Sequence, residues 1–178
     1  MRGSSWHPDP RCPSFDELAL LVLPYVDFDG GERMGELVVA RAVAEPVVEV
    51  FERLFAARFP IATMQRIDAF GADDGRSMDA NNCSGFNFRV IAGTDRLSQH
   101  ALGLAIDINP VQNPWVKGDV VWPEEGLAYL DRSHDHPGVI RRPGPVTAAF
   151  DAIGWEWGGD WDATKDYHHF VRASSESL

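Results

Sequence analysis

A chain of 178 residues with 44% hydrophobic residues, 6 Trp, 3 Tyr and 10 Phe can bury one ordinary core, which argues against a disordered polymer. Its 16 Gly and 12 Pro demand many turns and argue against an all-helical bundle. A formal net charge of −11 leaves no basic excess to neutralise phosphates, which argues against nucleic acid or an anionic membrane as partner.

Residues 1–14 carry three prolines and little pattern, and are expected as an extended arm. Nothing near the start has the apolar core of a signal peptide, and no run reaches the length of a membrane span. Leu18 to Phe28 reads as a strand ending at Asp29-Gly-Gly31, and Gly35 to Ala40 as its hairpin partner. Val43, Val47, Val50, Phe51, Leu54 and Phe55 recur at helical spacing, so a core-facing helix is expected to end near Arg58. Pro60–Phe70 reads as a strand and residues 71–82 as a polar loop without a firm element. Gly85–Ile91 alternates and is expected as another strand. Residues 109–145 are irregular apart from a helical stretch at Glu125–Leu130. A second helical stretch covers Pro145–Ile153, and His168–Arg172 reads as the last strand. The tail 173–178 is expected to fray. The whole is expected to be one α+β domain over residues 15–172, with an antiparallel sheet flanked by helices.

The chemistry concentrates in Ser98-Gln-His-Ala-Leu-Gly-Leu-Ala-Ile-Asp-Ile-Asn109. His100 and Asp107 lie seven residues apart. As a strand, Leu104, Ile106 and Ile108 face a core, while Gly103, Ala105 and Asp107 share the other face, which the small residues leave open. Lys165-Asp-Tyr-His-His-Phe170 supplies further histidines beside an acid. Together these stretches read as a His/Asp/His zinc site with a nearby acid as general base, since three protein ligands leave a position for water. In a regular strand His168 and His169 point to opposite sides, so only one of the two is a ligand. Asp166 and His169 also face apart, and converge only if a turn near Tyr167 precedes the strand.

Ser98-x-His100-x-x-Gly103-x-Ala105-x-Asp107, followed by Trp157-Gly-Gly-Asp-Trp161 and Asp166-x-x-His169-Phe170, resembles the zinc peptidases of peptidoglycan. That superfamily includes D-alanyl-D-alanine carboxypeptidases and dipeptidases and L-alanyl-D-glutamate endopeptidases. The resemblance spans roughly residues 60–172 and implies the small α+β fold shared with the hedgehog signalling domain. It implies that His100, Asp107 and His169 hold one zinc ion (Zn2+) and that Asp166 is the catalytic carboxylate. Many relatives have Glu at that position; the lysin-like branch uses Asp. Relatives also carry an Arg after the strand preceding the first motif, for which Arg76 is the first choice here and Arg89 the second.

The implied function is hydrolysis of amide bonds in peptidoglycan stem peptides, as a carboxypeptidase or an endopeptidase, by a monomer. Asp166 takes the proton of the attacking water and returns it to the leaving amine, while Arg76 or Arg89 holds an oxyanion or a substrate carboxylate. Ser98 either bonds substrate or caps the turn at His100; Trp157 and Trp161 are candidates for the cleft wall, with a core role expected for at least one. Asp160 is a candidate for orienting a zinc-bound His. Such a substrate places the protein in the cell envelope or outside the cell, although no export signal is visible. The rival reading is a hedgehog-like module that holds zinc and binds a cell-wall or protein ligand without turnover, and so has no need of Asp166. His134-Asp-His136 could bind a metal but lies in a Pro-rich irregular loop and is expected to be solvated, and the spacing of Asp73, Asp74 and Asp79 matches no calcium-loop pattern.

Overall fold

The computed structural model describes Met1 and residues 4–173. The hairpin expected near the start is present. Strand β1 (Leu18–Val26) runs antiparallel to β2 (Glu32–Ala40), with Asp27 closing the turn by accepting from the Gly31 amide at 2.7 Å. Helix α1 (Ala44–Ala56) follows and buries Val47, Val50, Phe51 and Leu54, the stripe that its 3.6-residue spacing places on one face.

The next stretch departs from expectation. Only Thr63–Met64 (β3) of the segment 60–70 is a strand, and Ile67–Phe70 closes into a 3-10 turn ended by Gly71. The polar segment after it holds a short helix, α2 (Asp74–Asp79). It starts at Asp73, whose side chain accepts from the Arg76 amide. Strand β4 (Asn82–Cys83) then pairs with β3 in parallel. Gly85–Ile91 alternates like a strand but is not one. Its amides serve several segments: Phe86 donates to Val38, Asn87 to His100 and Phe88 to Ser5. Alternation predicts a half-buried extended chain, and no single neighbouring strand is there to make it a ladder.

Strand β5 (Ala105–Asp107) is followed by a hairpin that the sequence did not announce, β6 (Trp115–Lys117) with β7 (Val120–Trp122). Residues 124–129 form a 3-10 helix, and α3 (Pro145–Asp151) begins with Pro at its first position. Strands β8 (Trp155–Trp157), β9 (Lys165–Asp166) and β10 (His169–Arg172) complete the chain. The α+β class holds, with the strands divided among small sheets. Two of these matter for the site: β5-β10-β8 and β7-β6-β9, both antiparallel.

The main core lies between α1, α3 and the β5-β10-β8 sheet. Phe150 on α3 stacks on Phe170 of β10 at 3.9 Å between ring centroids, and both are fully buried. Residues 4–14, expected as an extended arm, fold back on the body. Trp6 packs with Leu18, Val38 and Phe86, and the Ser5 hydroxyl donates to Asp68 at 2.9 Å. Both cysteines are free, with Cys83 buried. Among the described residues no helix is long and apolar enough to cross a membrane. The tail expected to fray lies, from residue 174 on, outside the described residues.

Candidate metal centre

Three local structures bring three side chains to one point. The first is a 3-10 turn, Gln99–Leu102, started by Ser98, whose hydroxyl accepts from the His100 amide at 3.3 Å. Gly103 ends it with φ +68, a conformation that favours glycine, and a Cβ there would collide with the Ala40 backbone nitrogen. The other two are β5 and β10, whose register sets Asp107 opposite His169. Residues directly opposite in a ladder project to the same face, so the pair converges without any bend. His100 closes the group from the turn.

The small residues near Asp107 do not leave the opening that alternation suggested. Ala105, Ile106, Asp107 and Ile108 are all buried, and the space beside Gly103 is taken by the Val39–Ala40 backbone, whose Ala40 amide donates to the Gly103 carbonyl at 2.9 Å. The small residues admit protein backbone, and the polar centre sits at the end of the ladder.

His100 Nε2 lies 3.3 Å from His169 Nδ1 and 3.1 Å from Asp107 Oδ2, while His169 Nδ1 lies 2.8 Å from Asp107 Oδ1. A tetrahedral ion with bonds of about 2.0–2.1 Å needs donor atoms about 3.3 Å apart; the two imidazole nitrogens meet that spacing, each faces a different oxygen of Asp107, and one donor atom from each of the three residues lies within 4.8 Å of the others. His100 Nδ1 is 2.7 Å from the Gly85 carbonyl, which only accepts. That contact places the proton on Nδ1 and leaves the Nε2 lone pair facing the centre. Two imidazole nitrogens and one carboxylate oxygen form a donor set that suits zinc. Among the described residues this is the group of His, Cys, Asp and Glu side chains that meets the geometry of a metal site.

The charges at this group suit a cation. Burial alone would raise the Asp107 carboxyl, but the neighbouring His100 and His168 rings hold it well below the usual carboxylate range. Burial likewise opposes a charge on His100, and Asp107 outweighs it and pushes that pKa up. A metal ion bound here would replace these protons as the partner of the buried carboxylate.

Of the two adjacent histidines, His169 enters the triangle and His168 does not. A turn at Tyr167–His168 separates β9 from β10, the arrangement needed for Asp166 and His169 to approach one side. His168 instead points Nε2 to Asp166 Oδ1 at 2.9 Å, with Asp107 Oδ1 at 3.9 Å. Asp166 itself is placed by β9, paired with Trp115 of β6. Gly158 packs against it so closely that a Cβ would sit 2.5 Å from the Asp166 carbonyl oxygen. That contact accounts for a glycine in Trp157-Gly-Gly-Asp-Trp161.

The remaining candidates separate. Arg89 bonds Asp74 at 2.7 Å, and its charge is felt at His100. Its Nε is buried without a hydrogen-bond partner among the described residues. The Arg76 side chain is 75% exposed and pairs with Asp73 at 3.7 Å. Ser98 is buried and serves as the cap. Trp161 stands beside His169, with ring centroids 5.6 Å apart, and stays partly exposed. Trp157 belongs to the core under Phe170, with its indole N–H donating to the Tyr167 carbonyl at 2.9 Å, so it does not form a cleft wall. Asp160 pairs with Arg142 rather than with a histidine. Sequence reasoning missed Asn113 and the contact between His168 and Asp166; two consecutive histidines, only one of which can be a ligand, were the signal available.

Residues 92–172 match the family model described as D-alanyl-D-alanine carboxypeptidase. The match supports the zinc D,D-peptidase superfamily to which the motifs pointed. It takes in His100, Asp107, Asp166 and His169 and begins after Arg76 and Arg89, a shorter span than the 60–172 of the motif resemblance. No curated protein and no solved structure matches the chain.

Proposed function

We propose that this protein is a zinc-dependent peptidase that hydrolyses amide bonds in the stem peptides of peptidoglycan, with carboxypeptidase or endopeptidase specificity. The observation that carries the proposal is the convergence of His100, Asp107 and His169, with the two imidazole nitrogens 3.3 Å apart and each within 3.1 Å of an Asp107 oxygen, inside the segment matched by the peptidase family. These three side chains would hold one ion, which when bound supplies Lewis acidity toward the scissile carbonyl and toward water.

The chain's own groups account for the rest of the reaction. Asp166, one residue pair away from the ligand strand, takes a proton from the attacking water and delivers it to the leaving amine. Arg89, with Nε buried and unbonded, is the better placed of the two arginines to donate to an oxyanion or a substrate carboxylate. Trp161 offers an apolar face next to His169, while Trp157 supports the site from the core.

The test is hydrolysis of purified muropeptides by the zinc-loaded protein beside Asp166→Ala, followed by mass spectrometry. Loss of a terminal alanine identifies a carboxypeptidase, and cleavage after the first stem residue identifies an endopeptidase. A wild-type protein that holds one zinc and leaves every muropeptide intact would sink the peptidase reading in favour of a binding module.

A further inference from the structure

Three side chains stand in one row across the β7-β6-β9 sheet. The register sets Trp115 of β6 opposite Asp166 of β9 on one side and opposite Trp122 of β7 on the other. Residues directly opposite in a ladder project to the same face, so the two indoles continue the face that carries the Asp166 carboxylate. Neighbouring strands lie roughly 4.8 Å apart, which puts the Trp122 end of the row about 10 Å from the Asp166 end. The Asp166 end adjoins the metal centre, since His168 Nε2 lies 2.9 Å from Asp166 Oδ1 and 3.9 Å from Asp107 Oδ1. The far end leans on α2, where a Cβ on Gly75 would come within 3.3 Å of Trp122 Cζ2.

These two indoles differ from Trp6 and Trp157. Those donate their N–H groups to the Pro13 and Tyr167 carbonyls and stack on Phe15 and Phe170. Trp115 is half-buried and Trp122 is 47% exposed. Among the described residues neither of their rings stacks on another aromatic side chain, and neither N–H has a protein partner. Two ring faces and two donors are thus left unused beside the proposed catalytic carboxylate.

We propose that Trp115 and Trp122 form a sugar subsite, which seats the pyranose ring to which the stem peptide is attached. The inference rests on the peptidase reading and names the part of the substrate that decides specificity. An indole offers an apolar face to the C–H face of a sugar and an N–H to one of its hydroxyls. An aliphatic side chain would leave both donors unused, and an ammonium would meet donors where it needs acceptors. In an extended stem the bond after the first residue lies about two residue lengths, roughly 7 Å, from the sugar, which is within the span of the row. The bond to a terminal alanine lies about 17 Å from it, past Trp122. The row therefore suits cleavage close to the glycan.

The experiment compares wild type, Trp122→Ala, Trp122→Phe and Trp115→Phe on two substrates, a disaccharide-linked stem peptide and the same peptide without its sugars. Zinc content and melting midpoint are measured for each protein. In wild type the sugar is expected to raise kcat/KM by about tenfold, chiefly through KM. That ratio is expected to fall toward one in Trp122→Ala and to be intermediate in the two Phe variants, which keep a ring but lose the N–H. A wild-type ratio near one overturns the proposal, and so does a wild-type ratio retained in Trp122→Ala. Calorimetric titration of both ligands into zinc-loaded Asp166→Asn, with and without Trp122→Ala, reads binding without turnover. Loss of Trp122 is expected to weaken the disaccharide-linked peptide about tenfold; equal affinities overturn the proposal. If wild type cleaves neither substrate, the peptidase reading fails separately, and the titration still decides whether the row holds a sugar.

Discussion

His169 stands directly across the β5–β10 ladder from Asp107, with Nδ1 2.8 Å from Oδ1. Two strands that pair for only three residues thus bring together two of the three candidate metal-binding groups, and the third comes from a turn capped by Ser98.

Asp107 is the group on which both His100 and His169 converge, so its removal is expected to empty the site. Asp107→Ala leaves the buried His100 and the half-buried His169 without their counter-charge. Such a loss of one partner in a buried pair costs about 3–5 kcal/mol. Elemental analysis is expected to show zinc falling from one ion per chain to almost none, with a lower melting midpoint. Retention of a full equivalent of zinc would mean that the ion sits elsewhere.

The metal-free and metal-loaded proteins are expected to respond to pH in opposite ways. His168 is pushed up to about 10: burial opposes its charge, but Asp166 and then Asp107 outweigh it. Its contribution to stability is complete below the unfolded value of about 6.5 and is lost as pH rises toward about 10. Zinc binding requires His100 to give up its proton, so affinity strengthens over the same rise. Melting scans with and without zinc should therefore diverge as pH increases. A gap that narrows would contradict the charge assignments at this centre.

The two arginines are expected to behave differently. Arg89→Ala removes a partly buried guanidinium near His100 and should lower kcat/KM by about a hundredfold, the scale of losing one oxyanion donor. Arg76→Ala removes a side chain that is 75% exposed and should leave both kinetics and stability nearly unchanged. The reverse ranking in a muropeptide assay would move the substrate-binding role to helix α2.

Gly103→Ala tests the frame under His100. The position has φ +68 and no room for a Cβ beside Ala40. A strained left-handed residue and a backbone collision together are expected to cost about 2–4 kcal/mol in urea unfolding. A change below about 0.5 kcal/mol would show that the turn tolerates rearrangement.

The hairpin, helix α1 and the order of the site residues were legible because each depends on local signals: period-two or 3.6-residue patterning, and spacing within a short motif. The segment 85–91 was misread for a physical reason. Alternation reports burial on one face, whereas a strand also needs a continuous neighbour, and here the backbone amides go to Val38, His100 and Ser5. The choice between His168 and His169 was equally out of reach. It depends on a two-residue turn and on Asn113, more than fifty positions earlier, accepting the first imidazole. Trp157 and Trp161 show the same limit, since identical residues in one motif went to the core and to the site edge.

Asp166 and the ligands His169 and Asp107 are mounted on different sheets, β7-β6-β9 and β5-β10-β8, joined through the turn at Tyr167–His168. A shift of the β6–β7 hairpin, on which β9 pairs, is expected to move Asp166 more than it moves Asp107 and His169 relative to each other. Changes at the Gly118–Asp119 tip of that hairpin therefore offer a way to tune reaction rate at constant metal affinity, and so to select on the two properties independently.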